Sequence, residues 1–194
     1  MRRLGYVLPL IVCWVFLGSA QNKYEREHRI LKKQFPQKAS SFVLDKVKDV
    51  KRVRYYKEID SAKVSYEIKL KKDKLHYSIE FDQNGVLEDI EITIKQVDIP
   101  EDSWANITRY LYNTFQKWKV QKIQQQYPVS EDESHETTIQ NAFQNLLLPS
   151  LNYELVVSTQ KEGKHQPYEV LFDAHGNFKK LRKSLPPNYD HVLY

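Results

Sequence analysis

Alternating apolar and polar residues dominate the chain between positions 53 and 97. Over 63–70 every second residue is apolar, and the same alternation continues over 75–81 and 86–97. A period of two with one apolar face predicts antiparallel strands that pack on a core from one side only. The segment 82–85, Asp-Gln-Asn-Gly, separates two of these runs. It predicts a hairpin turn, because Asn and Gly tolerate positive φ.

Apolar residues at helical spacing predict three helices. They lie over 40–50, from Pro100 to about 119, and over 137–148. The second carries Trp104, Ile107, Leu111 and Phe115 as a core-facing stripe. Further strands are predicted over 53–59, 120–123, 153–157, 168–172 and 178–185.

One pattern occurs twice in the chain. Tyr77–Gly85 and Tyr168–Gly176 share Tyr, Phe, Asp and Gly at the same spacing, 91 residues apart. A repeat of this kind indicates that one supersecondary unit was duplicated. We therefore predict an α+β fold of two tandem units, each a helix packed on an antiparallel sheet of about four strands. The units span 37–98 and 99–194, and the second contains the inserted helix 137–148.

The N-terminus has the layout of a secretory signal peptide. Arg2 and Arg3 precede an apolar run of about 14 residues, and small residues lead to Ala20. We predict a signal peptide over 1–20 with cleavage before Gln21, and a periplasmic or secreted protein without a stable membrane span after cleavage. The run is short for a bilayer span, although an uncleaved anchor stays open. The charged segment 21–36 is expected to be a short helix or a mobile arm.

Composition excludes several classes of protein. Cys13 is the only cysteine and lies within the predicted signal, so disulfides and cysteine-based sites are not expected in the mature chain. The net charge is +5, but basic and acidic residues are interleaved and no nucleic-acid module is recognisable. We expect no nucleic-acid partner, only a weak preference for anionic partners or surfaces.

No residue type occurs in a pattern that indicates catalysis or metal binding. Asp82 and Asp173 precede the two turns, and we interpret them as turn-forming residues rather than calcium ligands. The histidines show no metal-binding spacing; they are His28, His76, His135, His165, His175 and His191. Paired carboxylates such as Glu88-Asp89 are interpreted as solvated charge. The prediction is that there are no catalytic, cofactor-binding or metal-ligating residues and no cofactor.

Aromatic residues on the second helix and just after it are the best candidates for interaction. Trp104 belongs to the core-facing stripe, and Tyr110 lies near it. Tyr112 and Trp118 lie off that stripe. Exposed aromatic residues favour interfaces, but partial burial against the helix 137–148 is an equal alternative for these two.

The repeated hairpin resembles the PepSY-like family of exported bacterial proteins, which is structurally similar to β-lactamase-inhibitor-protein domains. The residues that carry the resemblance are Tyr66-Glu67-Ile68 with 77–85, and Tyr153-Glu154-Leu155 with 168–176. The resemblance covers roughly residues 37–194. It implies a non-enzymatic protein, because no catalytic residues carry over from the PepSY-like relatives. Related PepSY domains occur in propeptides of secreted metalloproteases, where they restrain the enzyme. The inserted helix departs from the family pattern.

Two functions of different class follow from these observations. The first is a non-enzymatic exported binding or inhibitor-like module that engages a protein or cell-envelope partner through its sheet face and hairpin loops. The alternative is a periplasmic small-ligand carrier or an unrecognised hydrolase, which would need a deep apolar pocket with convergent polar groups.

Overall fold

All the strands described in the computed structural model belong to one sheet. The structure describes residues 21–184 except 24, 48–49, 61–62 and 162–163. The predicted signal peptide therefore lies outside the described residues. The strands are β1 (Gln21–Lys23), β2 (Glu25–Ile30), β3 (Lys51–Asp60), β4 (Lys63–Lys72), β5 (Leu75–Asp82), β6 (Leu87–Thr93), β7 (Trp118–Pro128), β8 (Asn152–Lys161), β9 (Lys164–Asp173) and β10 (Phe178–Ser184).

The order across the sheet is β1-β10-β9-β8-β7-β6-β5-β4-β3-β2, and only the short β1–β10 pair is parallel. The predicted fold of two tandem helix-on-sheet units is therefore wrong. β6 and β7 pair antiparallel, with Asp89–Thr93 opposite Gln124–Pro128, and this pairing makes the sheet continuous. The physical reason is that a separate four-stranded unit would leave the N–H and C=O groups of an edge strand unpaired.

Three helices pack on one face of this sheet: α1 (Gln37–Val43), α2 (Glu101–Thr114) and α3 (His135–Phe143). Short 3-10 turns at Lys32–Gln34 and Gln96–Asp98 precede α1 and α2. Phe35, just before α1, meets Phe81 of β5 edge to face at 5.8 Å. Tyr110 of α2 meets Phe172 of β9 at 5.5 Å, and Phe143 of α3 meets Tyr77 of β5 at 5.3 Å.

The two repeated motifs adopt the same turn. The Asp82 carboxylate accepts hydrogen bonds from the backbone N–H groups of Asn84 and Val86, both at 2.8 Å. The Asp173 carboxylate accepts equivalent bonds from His175 and Asn177. The glycines that follow have φ values of +74° at Gly85 and +78° at Gly176. The interpretation of both aspartates as turn-forming residues is confirmed.

Within the charged segment 21–36, residues 21–23 and 25–30 form strands instead of the expected short helix or mobile arm. β2 pairs with β3 from Glu25–Asp60 to Ile30–Tyr55 and forms one edge of the sheet, while β1 forms the other. Strand pairing supplies partners to the backbone groups whatever the side chains are. The exposed charges of Arg26 and Arg29 suit an edge strand, because charged side chains discourage pairing with a further chain.

Candidate functional site

The strand registers divide the sheet into a face covered by helices and a face without them. Cross-strand neighbours share a face, so Ile68, Ile79 and Ile90 lie together beneath the helices, and Glu67, Glu80 and Asp89 lie together on the other side. We call this second side the open face. Its residues include Glu27, Arg29, Arg54, Tyr56, Glu58, Glu67, Lys69, Lys71, Ser78, Glu80, Asp89, Glu91, Lys122, Gln124, Gln126, Asn152, Glu154, Glu169, Leu171, Lys180 and Arg182.

Acidic residues cluster on the middle strands of the open face. Glu67, Glu80, Asp89 and Glu91 lie on β4, β5 and β6, whereas the basic residues of this face lie on β2, β3, β4, β7 and β10. Several of the acidic side chains are buried although no helix covers them: Glu67 is 3% exposed and Glu91 is 8% exposed. Polar neighbours on adjacent strands contribute to that burial, since Ser78 donates to Glu67 and Gln124 donates to Glu91.

Glu27, Glu58 and Glu67 form one carboxyl cluster around Lys69. The Lys69 ammonium pairs with Glu67 Oε2 at 2.9 Å and with Glu27, and it lies 4.8 Å from the centre of the Tyr56 ring. Burial and the neighbouring Glu67 raise the pKa of Glu58 to about 8. Burial alone would lower the pKa of Lys69, but Glu67 and Glu27 outweigh it and the pKa is raised. In this cluster Lys69 therefore stays positively charged, and the carboxyl group of Glu58 is largely protonated at neutral pH.

Glu80, Asp89 and Glu91 form a second cluster, with one carboxylate oxygen of each within 4.8 Å of the others. Burial, and then the neighbouring Glu154, raise the pKa of Asp89 to about 7. The same two causes raise the pKa of Glu91 well above its ordinary value, and burial followed by Asp89 does so for Glu80. Gln126 donates to Asp89 Oδ2 at 3.0 Å, and no described residue donates to Asp89 Oδ1.

These two clusters are the groups in the described chain that could hold a metal ion. Carboxylate oxygens suit Ca²⁺, but that ion takes six to eight oxygen ligands. Three carboxyl groups fall short of that shell, and the raised pKa values of Glu80, Asp89 and Glu91 mean that a cation in the second cluster would have to displace protons first. The expectation that the chain has no metal-ligating residue stays a prediction.

The aromatic candidates divide as the helical spacing suggests. Trp104 and Tyr110 are partly buried, and Tyr110 also stacks on Phe178 with ring centres 4.4 Å apart. Tyr112 is 74% exposed and meets Trp118 edge to face at 5.2 Å. The alternative in which these two rings are buried against the third helix is wrong for Tyr112.

The sequence interpretation missed the carboxyl groups of the open face. Asp89 was interpreted as solvated charge within the pair Glu88-Asp89, yet its Oδ1 is buried. Polar positions of an alternating strand are normally wet, so the local pattern gave no reason to expect desolvation. A usable signal was present in the register: Glu67, Glu80 and Asp89 fall directly opposite one another once the hairpins are aligned.

Comparisons with solved structures agree on the fold. A DUF2874 family protein from Bacteroides ovatus is similar with a TM-score of 0.51 and 10% identity, over 76% of this chain and 86% of that one. A DUF2874 family protein from Bacteroides uniformis has a TM-score of 0.50 and 10% identity, over 77% and 89%. A BLIP-like protein from Bacteroides fragilis has a TM-score of 0.47 and 14% identity, over 82% and 93%. No protein-family profile and no curated protein matches the sequence.

At these identities the likeness concerns the fold alone. It is carried by the two DUF2874 family proteins, while membership of the PepSY-like family stays a prediction. No helix in the described part of the chain has the length and apolar character needed to cross a bilayer.

Proposed function

We propose that this chain is an exported, non-enzymatic binding module that holds a protein partner on the open face of its sheet. The observation that carries the proposal is the continuous sheet itself: helices cover one face, and the other presents a field of polar and charged side chains. The signal-like N-terminus supports export to the periplasm or the cell exterior.

The size of the open face favours a protein over a small molecule. From β3 to β9 the face crosses six strand spacings, which gives a width of about 29 Å. With strands of about eight residues, its area is roughly 700 Å². That is close to the ~800 Å² that each partner contributes to a standard protein–protein interface.

The distribution of charge favours a partner with basic residues at the contact. Glu27 and Arg182 have side chains 21% and 27% exposed, so the margins of the face remain accessible. Basic groups of a partner above Glu80 and Asp89 would favour the ionised forms of these carboxyl groups. Complementary charge of this kind contributes mainly to specificity and to the rate of association.

The test is affinity capture from an envelope extract of the producing organism, with three baits. The wild-type chain is compared with Glu27→Lys/Lys122→Glu, which exchanges two charges of the open face, and with Glu101→Lys/Arg109→Glu, which makes the same exchange on exposed positions of α2. Both variants keep the net charge, and circular dichroism checks that they fold.

We expect one protein to be recovered in equal amounts with the wild type and the α2 variant, and to be lost with the open-face variant. Recovery of the same protein with all three baits would contradict the proposed surface. If no protein is recovered with the wild type while a small molecule co-purifies, the proposed function is wrong.

A further inference from the structure

The region where α3 meets the β4–β5 hairpin contains a pocket of about 290 Å³. We call it the α3 pocket, and it is lined by Lys46, Lys72, Ile139, Gln140, Phe143 and Gln144. It lies on the helix-covered side of the sheet, away from the open face. Its volume is at the lower end of the range for small-molecule sites.

Packing contacts along α3 fix the position of this helix beside the pocket. Ile139 and Ala142 are 1% and 0% exposed and hold the helix on the sheet. The ring of Phe143 meets Tyr77 edge to face at 5.3 Å, and His135 at the start of the helix meets Phe42 at 6.2 Å. The C-terminal half of α3 therefore lines the pocket together with Lys46 and Lys72.

The chemistry of the α3 pocket is an apolar interior beside two ammonium groups. Lys46 Nζ donates to the backbone carbonyl of Phe42 at 2.9 Å and lies 4.3 Å from the centre of that ring. Lys72 Nζ lies 5.4 Å from the centre of the Phe143 ring. No lining residue is acidic. The partner of Lys72 is Asp73, whose side chain is 76% exposed and lies outside the lining.

We propose that the α3 pocket binds a small carboxylate with a short apolar body. The apolar body would lie against Ile139 and Phe143, where burial of hydrocarbon is favourable. The carboxylate would lie between the ammonium groups of Lys46 and Lys72, with the exposed amide of Gln140 as a further donor. Asp73 would be displaced from Lys72 at little cost, because an exposed ion pair contributes little stability.

The experiment uses octanoate as the probe and the full exported chain, followed by two-dimensional NMR. Octan-1-ol and octylamine have the same apolar body with a neutral or a positive head group. Lys46→Met and Lys72→Met each remove one ammonium group and keep much of the apolar stem. Lys119→Met is the matched control, because it removes an exposed lysine of β7 that does not line the pocket.

We expect octanoate to shift the resonances of Ile139 and Phe143 in a saturable manner. Each lysine substitution in the pocket should weaken binding about threefold and the pair about tenfold, since partly exposed charge pairs contribute modestly. Lys119→Met should bind as the wild type does, and octylamine should cause no saturable shift.

Three results would overturn the assignment of the α3 pocket. They are the absence of a saturable shift with octanoate, equal binding of octan-1-ol or octylamine, and unchanged binding by the double lysine variant. Gln140→Phe, which places a ring at an exposed lining position, supplies a second check. If it folds and still binds octanoate with wild-type affinity, the ligand lies elsewhere. None of these outcomes depends on a protein partner of the open face.

Discussion

The two faces of the sheet bury side chains by different physical means. On the helix-covered face, residues such as Ile79 and Phe81 are 0% exposed and pack against apolar neighbours. On the open face, Glu67 and Glu91 are almost as buried but depend on hydrogen bonds and ion pairs. Burial of apolar surface is favourable by itself, whereas a buried carboxyl group must find partners or keep its proton.

Because of this difference, the two faces contribute differently to the stability of the fold. The helix-covered face supplies the free energy of folding. The burial of polar groups on the open face offsets part of that free energy. It holds these groups in rows, which suits a face used for recognition. The predictions below test this separation, beginning with the largest expected effect.

Phe172 and Leu171 are adjacent in β9 and point to opposite faces. Phe172→Ala should lower the free energy of unfolding by about 3–5 kcal/mol, because it empties a fully buried site beside Tyr110. Leu171→Ala on the half-buried open side should cost only about 1 kcal/mol. Urea unfolding measures both, and equal losses would contradict the assignment of the core to one face.

Stability should fall as pH rises from about 5 to 8. The pKa of Glu58 is raised from 4.5 to about 8, and that of Asp89 to about 7, so the folded chain binds more protons than the unfolded chain in this window. The unfolding free energy then decreases with pH by several kcal/mol, since a difference of one between the folded and the unfolded pKa corresponds to about 1.4 kcal/mol. Urea unfolding at several pH values measures the slope.

Glu58→Gln and Asp89→Asn are the matched variants, since each removes one titrating group and keeps its shape. Both should flatten the fall in stability. A wild-type stability that stays constant or rises between pH 5 and 8 would show that these carboxyl groups are not held as acids in the folded state.

The glycines of the two repeated turns, Gly85 and Gly176, can be compared within the same molecule, and the expected losses of stability are smaller. Both have positive φ, so alanine is strained at either position. A Cβ on Gly176 would lie 2.2 Å from the Ser103 carbonyl oxygen, whereas one on Gly85 would meet its nearest atoms at 3.0 Å. Gly176→Ala should cost about 3 kcal/mol and Gly85→Ala about 1–2 kcal/mol, measured as denaturation midpoints. The reverse order would mean that the approach of α2 to the second turn is looser than the structure shows.

The smallest loss of stability is expected for a substitution in the cluster around Lys69. Glu67→Gln leaves the Lys69 ammonium with one carboxylate fewer and should cost about 1 kcal/mol at pH 7. Glu58→Gln removes the need to take up a proton on folding, so at pH 7 it should raise the stability rather than lower it. Equal losses in the two variants would contradict the assignment of the proton to Glu58.

Local structure could be predicted from the sequence wherever neighbours along the chain decide it. The alternation over 63–70 predicted β4, and the turn at Gly85 followed from Asp-x-Asn-Gly. Segment ends were less accurate: β7 begins at Trp118 and ends at Pro128, well beyond the predicted 120–123. Its Gln124-Gln125-Gln126 run contains none of the β-branched or aromatic residues that favour strands, and its place in the sheet is set by pairing with strands on both sides.

The candidate site was much harder to predict than the strands. Each acidic residue of the open face has an ordinary polar position in its own strand. The raised pKa of Glu80 arises from burial and from Asp89, which belongs to the next strand. The α3 pocket likewise depends on where α3 lies against the β4–β5 hairpin, about 60 residues away along the chain.

The amino-acid sequence by itself determined the period-two strands, the two equivalent aspartate turns and the apolar stripe of α2, because these depend on contacts within a few residues. Only the tertiary structure decided that β6 pairs with β7 and that 25–30 is an edge strand. It also decided that burial raises the pKa values of Glu58, Glu80, Asp89 and Glu91. Those outcomes depend on which distant backbone edges meet and on how far water is excluded there, and no local pattern encodes either quantity.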